Sequence, residues 1–260
     1  MTRMSILRFS SLIRHRLLYD LRLMYRGSFF GVIWTLVLPV STALIYFFVF
    51  NNIIPRGEGV EIDFFAYVFS GVLVVGLFTS SVLFGLDVVS HNSQTLRSMN
   101  LPLLVFQIIG SLSRWLNSLF ALIVLFLYAL ATGMELHWNI IFAPFVLISI
   151  SMLALPFSLL LCYFESVFKD LKFIVPQLTT LLIFLTPVFY LPSVLPDRLE
   201  NFLLFNPIRP YLDVIRSIFG VQVEPVNLIA LFSWIGISIV TTTLIAPWLE
   251  RRKSDVVFRI

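Results

Sequence analysis

The chain has 260 residues, of which 59% are hydrophobic and only 12% are charged, with a mean hydropathy of +0.97 and a net charge of +4. A soluble domain carries about 25% charged residues, so this composition excludes an ordinary water-soluble globule. The 18 basic residues are spread along the chain rather than gathered in a cluster, which argues against a nucleic-acid-binding surface.

The first segment, residues 1–28, carries six arginines and no unbroken apolar core, so it reads as part of the protein and not as a cleavable signal peptide. Ile6, Phe9, Ile13, Leu17, Leu21 and Met24 form one helical stripe, with Arg8, His15, Arg22 and Arg26 on the opposite face. That pattern predicts an amphipathic helix lying in a membrane interface, with Asp20 at the edge of its stripe. A plain basic flank before the first span is the alternative.

Six apolar blocks follow, at about 29–50, 64–86, 103–133, 140–164, 172–191 and 226–248. Each meets the roughly 20 residues needed to cross a ~30 Å hydrocarbon core. Lipid cannot satisfy backbone hydrogen bonds, so each block is a helix or part of a closed barrel. None alternates as a barrel strand would. The fold expected is therefore all-α and polytopic: six transmembrane helices, an N-terminal interfacial amphipathic helix, and a short helical hairpin between helices five and six.

Six crossings put the connecting segments on two sides. Side A takes 1–28, 87–102, 165–172 and 249–260; side B takes 51–63, 134–139 and 192–225. Side A holds 13 basic residues and side B holds 4, which marks side A as cytoplasmic. Arg114 falls inside the third block. It reads better as snorkelling from a span that begins near Trp115 than as facing a polar cavity. Cys162 sits within a span as a small packing residue, and a lone cysteine excludes a disulfide framework.

Two connectors are more elaborate than a turn requires. Segment 87–102 is polar and ends at Pro102, which predicts a short helix stopping near Asn100. Segment 192–225 holds five prolines and many apolar residues. Two short helices, about 196–205 and 208–220, are expected there, either re-entering the membrane or lying on it.

Catalytic chemistry is absent by inspection. There is no phosphate-binding loop with its lysine and no nucleophile elbow. His15, His91 and His137 stand far apart, so no metal site is expected. The span interiors hold almost no acid for a proton relay. Aromatic residues make up 15% of the chain; Trp34, Tyr67 and Trp138 read as belt residues near membrane ends. Aromatic faces also suit a sugar polymer that must slide.

Four motifs in order carry a family resemblance: Tyr25-Arg-Gly-Ser-Phe-Phe-Gly31-Val-Ile-Trp34 with Pro39; Asn92 to Pro102; Phe168-Lys169-Asp170; and Thr186-Pro187-Val188-Phe189-Tyr190 followed by Asn206-Pro207 and Arg216. The chain resembles the permease subunit of type-2 ABC exporters for O-antigen, capsule and teichoic-acid polysaccharides. It departs at Leu101, where the family has phenylalanine, and at Lys169, where arginine is usual.

The resemblance implies a homodimer in the inner membrane, with two copies of a separate ATP-binding-cassette subunit that binds ATP and magnesium. This chain would hold no cofactor and no catalytic residue. His91, Asn92, Gln94, Thr95, Arg97, Ser98 and Asn100 would dock on the ATPase, and the 1–28 helix would brace that contact. Trp34, Tyr190, Phe202, Phe205, Tyr211 and Arg216 would belong to the channel or its external gate. The cargo would be a lipid-linked polysaccharide, most naturally an O-antigen on its way to lipopolysaccharide. A permease for small hydrophobic cargo, or a membrane glycosyl- or acyltransferase, are the competing readings.

Overall fold

A computed structural model describes residues 33–51, 62–98, 101–134, 136, 138–192, 196, 203–222 and 224–258. Every regular element among them is helical. These are α1 (Trp34–Asn51), α2 (Phe64–Ser98), α3 (Leu103–Thr132), a 3-10 turn (Trp138–Phe142), α4 (Ala143–Val167), α5 (Leu171–Leu185), α6 (Arg209–Ile218), α7 (Leu228–Arg251) and α8 (Lys253–Phe258). The interfacial helix expected over 1–28, with Arg8, His15, Arg22 and Arg26, lies outside the described residues, as do Asn100 and Phe202.

Four helices among the described residues are long and apolar enough to cross a membrane: α2, α3, α4 with its preceding turn, and α7. The apolar helices at Val37–Val49 and Leu171–Leu185 are shorter. These two fall on the other two expected spans, 29–50 and 172–191. At 1.5 Å per residue the 15 residues of α5 reach about 22 Å, short of a ~30 Å core. The chain beyond Leu185 leaves helical geometry at the Thr186-Pro187 turn, because the residue before a proline avoids the helical region.

Local signals set the helix ends. Asp63 Oδ1 accepts from the Ala66 N–H at 2.9 Å and so caps α2. Gly133, at φ 72°, closes α3 in the left-handed conformation that glycine adopts without strain. Asn227 caps α7 through the Ala230 N–H at 2.9 Å.

The helix α2 is the axis of the bundle. It packs on α1, α3, α4, α5, α6 and α8. Where α2, α3 and α4 cross, Ser158 is the meeting point. Its hydroxyl donates to Gln107 Oε1 at 2.7 Å. Gly85 sits so close that an added Cβ would lie 2.2 Å from the Ser158 carbonyl oxygen. Small residues at such crossings let membrane helices approach closely and gain dispersion contact.

Two apolar cores form, one toward each end. The larger gathers Tyr67, Phe69, Leu147, Ile150, Phe189, Tyr211 and Phe219 with their neighbours. The smaller joins Val88, Val89, Leu96, Leu101, Leu103, Phe106, Cys162, Leu249 and Val256. Cys162 is fully buried there, as a packing residue would be. The side chains also sort the connectors. The side A segments 87–98, 101–103, 165–172 and 249–258 contact one another; within the side B segment 192–225 Arg209 pairs with Glu224, and Arg216 reaches back to Pro187 at the end of the fifth block.

Candidate transport interfaces

On side A, the 87–98 stretch is not a separate short helix as expected. It continues α2 without a break, ending at Ser98, close to the predicted stop at Asn100. The 35 residues of α2 span about 50 Å, some 20 Å more than the hydrocarbon core. The extension is polar, and Gln94, Thr95, Arg97 and Ser98 belong to it by backbone. His91 is exposed and its Nδ1 lies 3.0 Å from the Asp87 carbonyl oxygen. Asn92 is buried, and its Nδ2 donates to the Val88 carbonyl at 2.6 Å. Of these two neighbours, His91 presents its side chain outward and Asn92 turns its side chain inward.

A charge network ties this extension to the α4–α5 turn. Glu165, with a side chain 1% exposed, pairs with Lys169 at 3.2 Å and with Lys172 at 3.3 Å. Lys172 also reaches Asp87 at 3.8 Å. A buried carboxylate is tolerable only when cations and hydrogen bonds replace its water, which the two lysines do here. The Phe168-Lys169-Asp170 motif therefore sits beside the base of the extension. Nothing in the sequence flagged Glu165, which the predicted span boundary at 164 left just outside the membrane.

Between the ends, a cavity of about 850 Å³ opens along α2 and is bounded by α1, α3 and α5. Its wall mixes Trp34, Leu38 and Phe84 with Thr42, Ser80 and Arg114. Helix α3 begins at Leu103, so Arg114 stands about three turns inside it, where it lines this cavity. Arg114 Nε donates to the Ser80 carbonyl and Nη1 to the Gly110 carbonyl, both at 2.9 Å. Its guanidinium lies 4.1 Å from the Phe84 ring centroid. The charge is thus held by backbone dipoles and an aromatic face on the cavity wall. Among the described residues no cluster of three metal-ligating side chains occurs.

On side B, the pieces of the fourth motif converge. Arg216 is buried, and its Nη2 donates to the Pro187 carbonyl at 2.7 Å, the Tyr67 carbonyl at 3.2 Å and the Val188 carbonyl at 3.4 Å. Its guanidinium stacks 3.3 Å from the Tyr67 ring centroid. The Tyr67 hydroxyl donates to the Tyr190 carbonyl at 2.9 Å. Asn206 Nδ2 donates to Thr186 Oγ1 at 2.9 Å, and its Oδ1 accepts from the Ile208 N–H. Asn206-Pro207 thereby starts α6, while Thr186–Tyr190 lies under it. Tyr67 is consequently a core residue, 1% exposed, and not the belt residue expected. Its place in the first turn of α2 hid that role, because belt and lid positions coincide at a span end.

The remaining expected residues are dispersed. Trp34 is exposed on the cavity wall, Phe205 is exposed on the side B surface, and Tyr190 is half-buried with its hydroxyl on the Phe184 carbonyl at 2.9 Å. Tyr211 is fully buried. Of the two short helices expected in 192–225, α6 matches the second, and most of the first lies outside the described residues.

The chain matches the family described as ABC-2 type transporter over residues 12–219. It is 28% identical over 202 residues to the O-antigen export system permease protein RfbA of Myxococcus xanthus, covering 77% of this chain and 76% of that protein. Two proteins of the same name from Klebsiella pneumoniae are 23% and 22% identical over 205 residues, with the same coverage. The family match covers most of the chain and includes α2, the cavity and the side B cluster. The chain therefore belongs to the ABC-2 type transporter family, as a multi-pass membrane permease that works with a separate ATP-binding subunit and has no ATPase activity itself.

Proposed function

We propose that this permease exports a lipid-linked polysaccharide, most naturally an O-antigen, across the inner membrane. Two copies would pair with two ATP-binding subunits, and six spans per copy would place both termini in the cytoplasm. The cargo reading is supported by the role of the relatives and by an aromatic content of 15%.

The observation that carries the mechanism is the unbroken α2. A rigid helix that crosses the bilayer and then projects about 20 Å beyond it can turn a push at its tip into a tilt within the membrane. In this reading residues 87–102 dock on the ATP-binding partner, with His91, Gln94, Thr95, Arg97, Ser98 and Asn100 at the contact and Asn92 bracing from behind. The 1–28 helix, with Arg8, His15, Arg22 and Arg26, lies against the same face of the membrane. The side B cluster, segment 192–225, is the external gate. Arg209 Nη1, the Tyr211 hydroxyl and Arg216 Nε are buried without hydrogen bonds among the described residues. Buried polar atoms without such bonds also occur in the spanning helices, at Ser81, Ser111 and Ser151, so the gating role rests on the place of 192–225 between α5 and α7.

The test is export itself. Cells lacking this permease should hold lipid-linked polymer inside and show none on their surface, and the intact gene should restore it. Replacing 92–100 with a Gly/Ser linker should fail to restore it. Normal surface polymer with the linker would overturn the coupling role. Unchanged surface polysaccharide in the deletion strain would overturn the cargo and favour a small hydrophobic one.

A further inference from the structure

We propose that residues 250–258 form a strut that carries movement of the α2 extension to α7; this rests on the coupling role proposed for 87–102. The link between that extension and α3 is the short Leu101-Pro102-Leu103 segment. Pro102 stands at the N-cap of α3 and makes no side-chain cap, so the first backbone donors of α3 need another partner. Glu250, in the last turn of α7, supplies it. Its Oε2 accepts from the Leu103 N–H at 3.0 Å. A carboxylate there also complements the positive end of the α3 dipole.

One residue into α8, Lys253 Nζ donates to the Leu101 carbonyl at 2.5 Å and lies 3.7 Å from Glu250 Oε1. A single turn of chain thus grips both backbone groups of the link, from 147 and 152 residues away. The grip continues in apolar contact. Val256 is fully buried in the smaller core beside Val88, Val89 and Leu96 of the extension.

The consequence for α7 follows from how it is held. Along its 24 residues α7 buries only Leu231, Ser238 and Leu249, and it packs chiefly on α4. A helix so sparsely buried along its length follows the end that is clamped. Displacing the extension drags the 101–103 link, and Glu250 and Lys253 hand that displacement to α7. They are positioning residues for transport and touch neither cargo nor nucleotide.

The experiment uses the permease with its ATP-binding partner in lipid nanodiscs. Ile229→Cys, near the far end of α7 at 82% exposure, reports by its labelling rate with a membrane-impermeant maleimide. Native Cys162 is buried and stays silent. Trapping with magnesium-ATP and vanadate should change the Ile229→Cys rate on the order of fivefold, the low end of ordinary allosteric coupling. Adding Glu250→Gln with Lys253→Met should abolish that change while partner retention and vanadate-sensitive hydrolysis persist. Lys253→Arg, which keeps a cationic donor for Leu101, should preserve it. If the double variant does not assemble, Lys253→Met alone, which keeps the Glu250 cap and loses only the Leu101 bond, should reduce that change measurably below the parent's. A trapping response that survives the double variant, that stays at the parent's level in Lys253→Met alone, or that is missing from the parent while hydrolysis proceeds, overturns the strut. A parent complex with no vanadate-sensitive hydrolysis overturns the coupling reading first and the strut with it.

Discussion

Gly85→Ala is the sharpest perturbation this packing offers. The new methyl would lie 2.2 Å from the Ser158 carbonyl oxygen and 2.8 Å from the Ser158 carbonyl carbon and Cα. These are backbone atoms of α4, so no side chain can rotate away. To reach an ordinary contact of 3.4 Å, α2 and α4 must separate by about 1.2 Å. That would also strain the Ser158–Gln107 hydrogen bond to α3, since all three helices share the crossing. Overpacking of this kind costs about 1–3 kcal/mol. Cys162, one turn along α4 from Ser158 and fully buried, is a built-in reporter. Its rate of reaction with N-ethylmaleimide measures how often that crossing opens. At about 1.4 kcal/mol per decade the rate should rise roughly 5- to 150-fold. Gly76→Ala is the control on the same helix, because a Cβ there meets nothing within 4 Å. It should leave labelling unchanged or slow it, since alanine in a helix is favoured over glycine by up to about 1 kcal/mol. Equal labelling rates in the two variants would refute the account of close helix approach at Gly85.

The side B cluster yields two further expectations. Arg216→Met removes the donor shared by three buried carbonyls and should lower the thermal stability of the purified protein by about 3 kcal/mol or more, whereas Tyr67→Phe keeps the ring under the guanidinium and should cost only about 1 kcal/mol; equal losses would mean that the carbonyl contacts contribute nothing. Burial pushes the Asp213 carboxyl, on α6 outside the spanning helices, up to about 6 from 3.8 despite Arg216 and Arg209 nearby. A raised folded-state value means its contribution is fully present below the unfolded value near 4 and lost as pH rises through 6, a swing of about 3 kcal/mol. Melting curves from pH 4 to 7 should show that slope, Asp213→Asn should flatten it, and a slope retained in Asp213→Asn would refute the assignment.

What the sequence made legible was governed by the solvent. Block length and hydropathy located α3, α4 and α7 to within a few residues, because lipid imposes one requirement on every spanning backbone. Composition change was a poorer guide where the helix did not stop with the membrane. The apolar run of α2 ends near Leu86, but its hydrogen-bond ladder continues to Ser98, since polar residues sustain a helix as well in water as apolar ones do in lipid. At Arg114 the difficulty was the opposite one. A guanidinium inside an apolar block looks too costly to leave there, and only the structure shows that Ser80 and Gly110 carbonyls and the Phe84 ring await it. The Arg216–Tyr67–Pro187 contact joins residues up to 149 positions apart, and no local pattern carries that information. Order along the chain placed Pro187 and Arg216 in one motif, and only packing brought Tyr67 to them.

The distribution of polar chemistry along α2 explains how one helix can serve both ends. Its side A portion is held by ions, with Lys172 between Asp87 and Glu165 and with Glu250 and Lys253 at the link that follows. The Lys172–Asp87 pair is 36% and 51% exposed and can be exchanged for water at small cost, whereas Glu165, 1% exposed, depends on its two lysines. The side B portion is held by buried hydrogen bonds to backbone, which have no such exchange available. In the proposed coupling, a push on the α2 extension is carried along α2 and through the 101–103 link to α7, while the far end of α2 stays bound to the loop of α5 and to α6. A rod held at its far end swings about that end. The cavity along its middle, walled on one side by α2 itself, must then change shape whenever side A moves.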